Sequence, residues 1–90
     1  MRITYDPQKR EKTLTERGLD FEDAPLVFTG DVFENLNDRR DYGEVRWQTM
    51  GLLNGRLVMV VWTPRGRARH IISMWKCNDR EQERYAARMG

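Results

Sequence analysis

Ninety residues suffice for one domain with a modest core, and 39% hydrophobic against 33% charged content reads as globular but polar. The net charge of +2 conceals a skew, since 13 of the 16 cationic residues are Arg and only Lys9, Lys12 and Lys76 are Lys. Guanidinium favours phosphate, base and carboxylate contacts, so the composition and a pI of about 9.0 fit an anionic partner. A lone cysteine, Cys77, and a lone histidine, His70, exclude an intrachain disulfide and a cysteine-based zinc site; no carboxylate cluster suggests a metal, and no cofactor is expected. There is no apolar signal region and no run of membrane length, so a soluble, cytoplasmic protein is expected.

No linker, repeat or low-complexity segment divides the chain, and residues 1–90 read as one domain. Arg2 to Tyr5 alternates polar and apolar and predicts a strand. Asp6 caps a helix whose first residue is Pro7, and Gly18 supplies a left-handed exit after Arg17. That helix has a polar interior with Leu14 as its main apolar residue, so burial stabilises it little and part of its surface is expected to serve a partner or a site. A second short helix lies within Leu19 to Phe28. Pro25 is tolerated if regular helix starts near Asp23, and Phe21, Leu26, Val27 and Phe28 are then core candidates. Val32 to Leu36 predicts a weak strand, and Asn37 to Tyr42 a charged loop.

The firmest reading is a hairpin of Glu44 to Leu53 and Arg56 to Thr63, joined by Asn54-Gly55, whose two positive φ angles suit a type I′ turn. Leu57 to Trp62 is apolar on both faces, so this strand is expected to be central. Pro64 and Gly66 predict the next turn, and His70 to Trp75 an antiparallel return. Asn78 and Glu81 form a capping box for a last helix over about Asp79 to Arg88, thinly apolar at Tyr85, Ala86 and Met89.

The chemically richest stretch is Arg65 to Lys76, where an arginine-rich turn runs into a strand that carries His70, Trp75 and Lys76. Cations, one imidazole and one indole on or beside a sheet suit phosphodiester chemistry on RNA; the alternative is a solvated edge strand whose charges discourage aggregation. Trp47 and Trp62 read as core aromatics. Ser73 reads as a structural hydrogen-bond donor, because His70 lies three residues earlier and so on the opposite strand face.

Several motifs occur in a recognisable order. They are Asp6 with Lys9; Gly18 before Phe21-Glu22-Asp23-Ala24 and Val27-Phe28; Tyr42-Gly43-Glu44 with Arg46; Thr49-Met50-Gly51; Val60-Val61; Ile71-Ile72-Ser73 with Lys76; and Arg80-Glu81 with Tyr85. Over about 80 residues this order resembles the BrnT toxins of type II toxin–antitoxin systems. The resemblance implies an α+β, RelE-like fold: two N-terminal helices packed on a small antiparallel β-sheet, with a C-terminal helix. It also implies a metal-independent endoribonuclease that arrests growth. The implied partner is a BrnA-like antitoxin with a ribbon-helix-helix DNA-binding domain, which represses the operon together with the toxin.

The chain departs from the commoner family pattern at Arg17, where histidine is usual, at His70, where arginine is usual, and at Met74-Trp75 in place of Ala-Arg. A catalytically attenuated co-repressor module therefore stands beside the enzyme as an alternative. Metal-free RNA cleavage needs a base near working pH, which His70 meets by type and Glu44 only with a raised pKa. Arg46, Arg69 and Lys76 are candidates to hold the charged phosphate, and Lys9 to contact phosphate or act as acid. Arg65 and Arg67 could supply displaced charge on RNA, and Trp75 could stack a base beside the scissile bond. Glu44 and Arg46, two apart on a strand, would share a face. Lys12, Arg10, Arg84 and Arg88 read as solvated helix charges or antitoxin contacts.

Overall fold

The computed structural model describes residues 1–37 and 43–90. Most of the loop expected at Asn37 to Tyr42, and with it Tyr42 of the family motif, lies outside the described residues. The elements are β1 (Arg2–Tyr5), α1 (Pro7–Arg17), a 3-10 turn (Phe21–Asp23), α2 (Ala24–Phe28), β2 (Phe33–Leu36), β3 (Trp47–Leu53), β4 (Arg56–Arg65), β5 (Ala68–Lys76) and α3 (Asp79–Met89). The five strands form one sheet in the order β1-β5-β4-β3-β2.

That order corrects the expectation of a purely antiparallel sheet. β1 pairs with β5 in parallel, Thr4 opposite His70, while the other pairs are antiparallel. A parallel pair needs a long crossover, and here most of the chain intervenes, so no local sequence signal marks it.

The local signals hold where backbone chemistry is strong. Asp6 accepts from the Gln8 N–H and Gly18 sits at φ 67°, so α1 has the expected bounds. Asn54 (φ 51°) and Gly55 (φ 80°) make the hairpin turn, and the Asn78–Glu81 capping box starts α3. Several strand ends shift, and β5 runs from Ala68 to Lys76, beyond the expected His70 to Trp75. β3 begins at Trp47, because Glu44 to Arg46 form the approach to it. Pro64 lies inside β4, and the turn is Gly66-Arg67. The β3 pairing ends at Trp62, so β4 has an open edge at Pro64 that tolerates a residue without an N–H.

β4 is central and apolar on both faces, as its sequence requires. One face packs Val58, Val60 and Trp62, with Ile71 and Met74 of β5, against Phe21, Ala24 and Val27. The other packs Met59, Val61 and Leu57 with Met50 and Cys77, and Tyr85 of α3 leans on it. Phe21 and Val27 are core residues as expected and Phe28 is half-buried, but Leu26 is 58% exposed because α2 turns it outward. β1 stops at Tyr5 beside Ile71, and α1 takes its place along the rest of β5, where Arg17 donates to the Met74 carbonyl at 2.7 Å. Neither α1 nor α3 buries a residue.

Candidate phosphodiester site

The pairing of β4 with β5 slips between Val61 and Trp62. Trp62 pairs with Ile71 and Val61 with Ser73, so Ile72 is the extra residue of a β-bulge. The bulge reverses the facing expected from odd spacing. His70 opposes Thr63 and Ser73 opposes Val61, two positions apart on β4, so His70 and Ser73 share the sheet face that α3 partly covers.

His70 is half-buried on that face between Thr4 of β1 and the buried Thr63 of β4. Its Nδ1 lies 2.8 Å from the Thr4 hydroxyl. In the tautomer with the proton on Nδ1, the ring donates to Thr4 and Nε2 is left unprotonated as a base. Burial first, then the positive charge of Arg65, hold the imidazole below its ordinary pKa. Lys9 acts in the same direction, while Glu44 and Asp6 oppose them.

Glu44 organises the cations beside the ring. It accepts from Arg46 Nε at 3.2 Å, and its other oxygen lies 3.9 Å from Arg65 Nη2. Glu44 and Arg46 are thus in contact, but not as neighbours on a strand face as expected, because both precede β3. Lys9, on the first turn of α1, also lines a groove of about 190 Å³ with Lys12, Arg17 and Ser73. Glu44 thus contacts Arg46 and Arg65, and the charges of Arg65, Glu44, Lys9 and Asp6 act on His70.

Four expected site residues lie elsewhere. Arg69 is on the opposite face, its guanidinium 4.3 Å from the Phe28 ring centroid and 4.7 Å from that of Trp62, so it packs the α2 side of the core by cation–π contact. Lys76 pairs with Val58 on the same face as Arg69, six residues and roughly 20 Å of strand from His70. Trp75 shares the face of His70 but packs under α3, its indole N–H 3.2 Å from Glu81 Oε2. Arg67 is exposed in the β4–β5 turn. The structure therefore does not bring Arg69 and Lys76 together with His70 and Glu44. One further correction concerns a helix charge: Arg10 forms a two-point ion pair with Asp20 at 2.7 and 2.9 Å, whereas Arg88 stays exposed above the Phe33 ring.

Sequence reasoning missed Thr4, Thr63 and Asp6 as neighbours of His70. Thr4 reaches it only through the parallel β1–β5 pairing, and Thr63 only once the bulge has set the register. Among the described residues no cluster of His, Cys, Asp and Glu could hold a metal ion, and no helix is long and apolar enough to cross a membrane.

An imidazole held below its ordinary pKa beside cationic side chains, in a small α+β domain, makes a site suited to an anionic ligand. The family model for the ribonuclease toxin BrnT of type II toxin–antitoxin systems matches residues 5–81, and the chain belongs to that family. Membership in a type II system implies an antitoxin partner. No curated protein matches the sequence.

Proposed function

We propose that this protein is the cytoplasmic toxin of its system, an endoribonuclease that cleaves RNA without a metal ion and arrests growth. The action of the Arg65, Lys9 and Glu44 charges on His70, with Arg46 held by Glu44, carries this reading. In the proposed reaction Nε2 of His70 takes the proton of a ribose 2′-OH. The 2′-oxygen attacks the adjacent phosphorus, Arg46 and Arg65 offset the charge of the five-coordinate state, and Lys9 protonates the departing 5′-oxygen. The products are a 2′,3′-cyclic phosphate and a new 5′-hydroxyl. Glu44 positions the two arginines rather than acting as base, since its oxygens already face their guanidinium groups.

A BrnA-like ribbon-helix-helix antitoxin is the proposed partner, covering α1 and α3 and repressing the operon together with the toxin. The second reading, a co-repressor that does not cleave, draws support from Arg69 and Trp75, whose cation and indole N–H are both engaged inside the fold.

The test is cleavage of a long structured RNA in EDTA by purified, antitoxin-free protein, beside a His70→Ala variant of matched circular dichroism. The expected result is cutting that falls about 10²- to 10⁴-fold in the variant, the usual contribution of a positioned base. Undiminished cutting by the variant would move the base to Glu44. No cutting by the folded native protein would leave the co-repressor reading in place.

A further inference from the structure

Lys9, Lys12, Thr13, Glu16 and Arg17 are spaced i, i+3, i+4, i+7 and i+8 and form one stripe of α1. In a helix laid against a sheet this is the spacing of the apolar face, but here the stripe holds no apolar residue. Together with Ile72 and Ser73 of β5 it lines the groove of about 190 Å³. That volume is below the roughly 300–1,000 Å³ of sites for drug-sized ligands and suits one compact charged group. No described aromatic residue lines the groove, so nothing there stacks a base.

Three observations give the groove a ligand chemistry. Lys9, Lys12 and Arg17 face a single carboxylate there, Glu16, and none of the three is in an ion pair among the described residues. Arg17 gives one nitrogen to the Met74 carbonyl, which fixes its guanidinium beside the groove with further N–H donors to spare. Lys9 stands in the first turn of α1, a turn without an acidic residue, where the helix dipole disfavours a cation. Helix stability therefore does not explain it. Finally, Ser73 is half-buried in the groove wall, yet its hydroxyl makes no hydrogen bond among the described residues and stays open to the groove, unlike the structural donor its sequence context suggests. Ammonium groups, a guanidinium and a free hydroxyl are the donors that proteins present to phosphate oxygens.

We propose that this groove is a phosphate subsite, which holds a backbone phosphate of the RNA other than the scissile one, with Lys12 and Arg17 meeting its charge and Ser73 donating to one of its oxygens. The assignment rests on the reading of RNA as substrate and adds to it a second point of attachment. Ser73 and His70 share a sheet face three residues apart on β5, roughly 10 Å of strand. The phosphate held here is therefore not the one attacked beside His70. Lys9 lines the groove and its charge also reaches His70, so it links the two positions. A phosphate contact carries no base identity, so the groove sets the register of the RNA over His70 and not the sequence that is cut.

The experiment measures binding of a short single-stranded 2′-O-methyl RNA to the full chain by fluorescence anisotropy over a range of salt concentrations. That RNA has no free 2′-OH and cannot be cut by attack of a 2′-oxygen, so the outcome is separate from that of the cleavage assay. One phosphate contact on a single strand contributes about 0.7 to the slope of log affinity against log salt concentration. Lys12→Ala should reduce the slope by about that amount, and Lys12→Arg should restore it. Lys12 is exposed on a helix, where alanine is the best former, so the variant is expected to fold. Arg88→Ala removes a cation near β2, at the opposite edge of the sheet, and should leave the slope unchanged. Ser73→Ala should weaken binding about tenfold with the slope kept, the effect of losing one hydrogen bond to a charged group. RNA binding with a native slope in Lys12→Ala, an equal loss in Arg88→Ala, or native affinity in Ser73→Ala would overturn the subsite and leave RNA as the substrate. Displacement of the RNA by inorganic phosphate at the same phosphate concentration would make the groove a site for free phosphate and overturn its assignment to RNA. No binding of RNA by the native chain would overturn both readings. The expected changes in a protein that does not cleave would support the subsite and overturn only the ribonuclease reading.

Discussion

His70 sets the pH behaviour expected of the proposed enzyme. Its pKa in the fold lies below the 6.5 of a free imidazole, chiefly because burial and Arg65 disfavour the charged ring. Between the folded and the unfolded value the unfolded chain binds more protons, so stability rises with pH through that window. The contribution is fully present above 6.5 and is lost as the pH falls through the folded value. The same neutral ring is the active base, so the acid limb of kcat/KM should have its midpoint below 6.5. Arg65→Ala removes a lowering influence and should move that midpoint upward even if the maximal rate drops. A pH–rate profile of the two proteins checks this; a limb that stays in place in Arg65→Ala would mean that another group is titrating. Thr4 enters through the ring tautomer, which depends on a hydroxyl 2.8 Å from Nδ1.

At the scale of elements, the Thr49-Met50-Gly51 motif has a packing explanation. The Thr49 hydroxyl accepts from Trp62 Nε1 at 2.9 Å and donates to Glu34 at 2.6 Å, tying β3 to both neighbours, while Met50 fills the α3-side core. Gly51 lets α2 approach the sheet: a Cβ there would meet Val27 Cγ1 at 3.0 Å, the Val27 carbonyl at 3.1 Å and Val32 Cγ1 at 3.1 Å. Gly51→Ala should therefore destabilise by about 1–3 kcal/mol, the usual cost of overpacking, which exceeds the roughly 0.5–1 kcal/mol that alanine gains over glycine in a strand. Gly30→Ala, whose Cβ would meet nothing nearer than the Val27 carbonyl at 3.9 Å, is the control and should be close to neutral. Urea denaturation midpoints compare the two, and equal midpoints would sink the packing account. Elements whose signals are local were legible in the sequence, down to the Asp6 and Asn78 caps and the Asn54-Gly55 turn. The β5 bulge was not, because Ile71-Ile72-Ser73 reads as regular strand until Trp62 and Val61 impose the register. Its consequence, His70 and Ser73 on one face, was lost with it. The facing of Arg69 and Lys76 was not legible for a related reason: composition shows a cation but not which sheet face it occupies.

Over the whole molecule, the strongly held part is the sheet with the 3-10 turn and α2, and the two long helices hang on its margins. α1 meets the sheet through the Arg17–Met74 carbonyl bond and the cap of the 3-10 turn through the Arg10–Asp20 pair; α3 meets the sheet through Tyr85 and the Trp75–Glu81 bond, and the loop before β2 through the Tyr85 hydroxyl on the Asp31 carbonyl. A helix without a buried residue has little tertiary burial to hold it, so its opening should cost far less than global unfolding. The proposed antitoxin would supply the missing surface. Amide hydrogen exchange should be fast along α1 and α3 in the free toxin and slow along β4 and the centre of β5. In the toxin–antitoxin complex the two helices should gain tenfold or greater protection while β4 changes little. Such a pattern would locate the partner on surface that includes Lys9, so that a bound antitoxin obstructs RNA there. Protection gained only on the sheet edge at β2, with both helices unchanged, would remove α1 and α3 from the interface and require inhibition by a route other than covering the site.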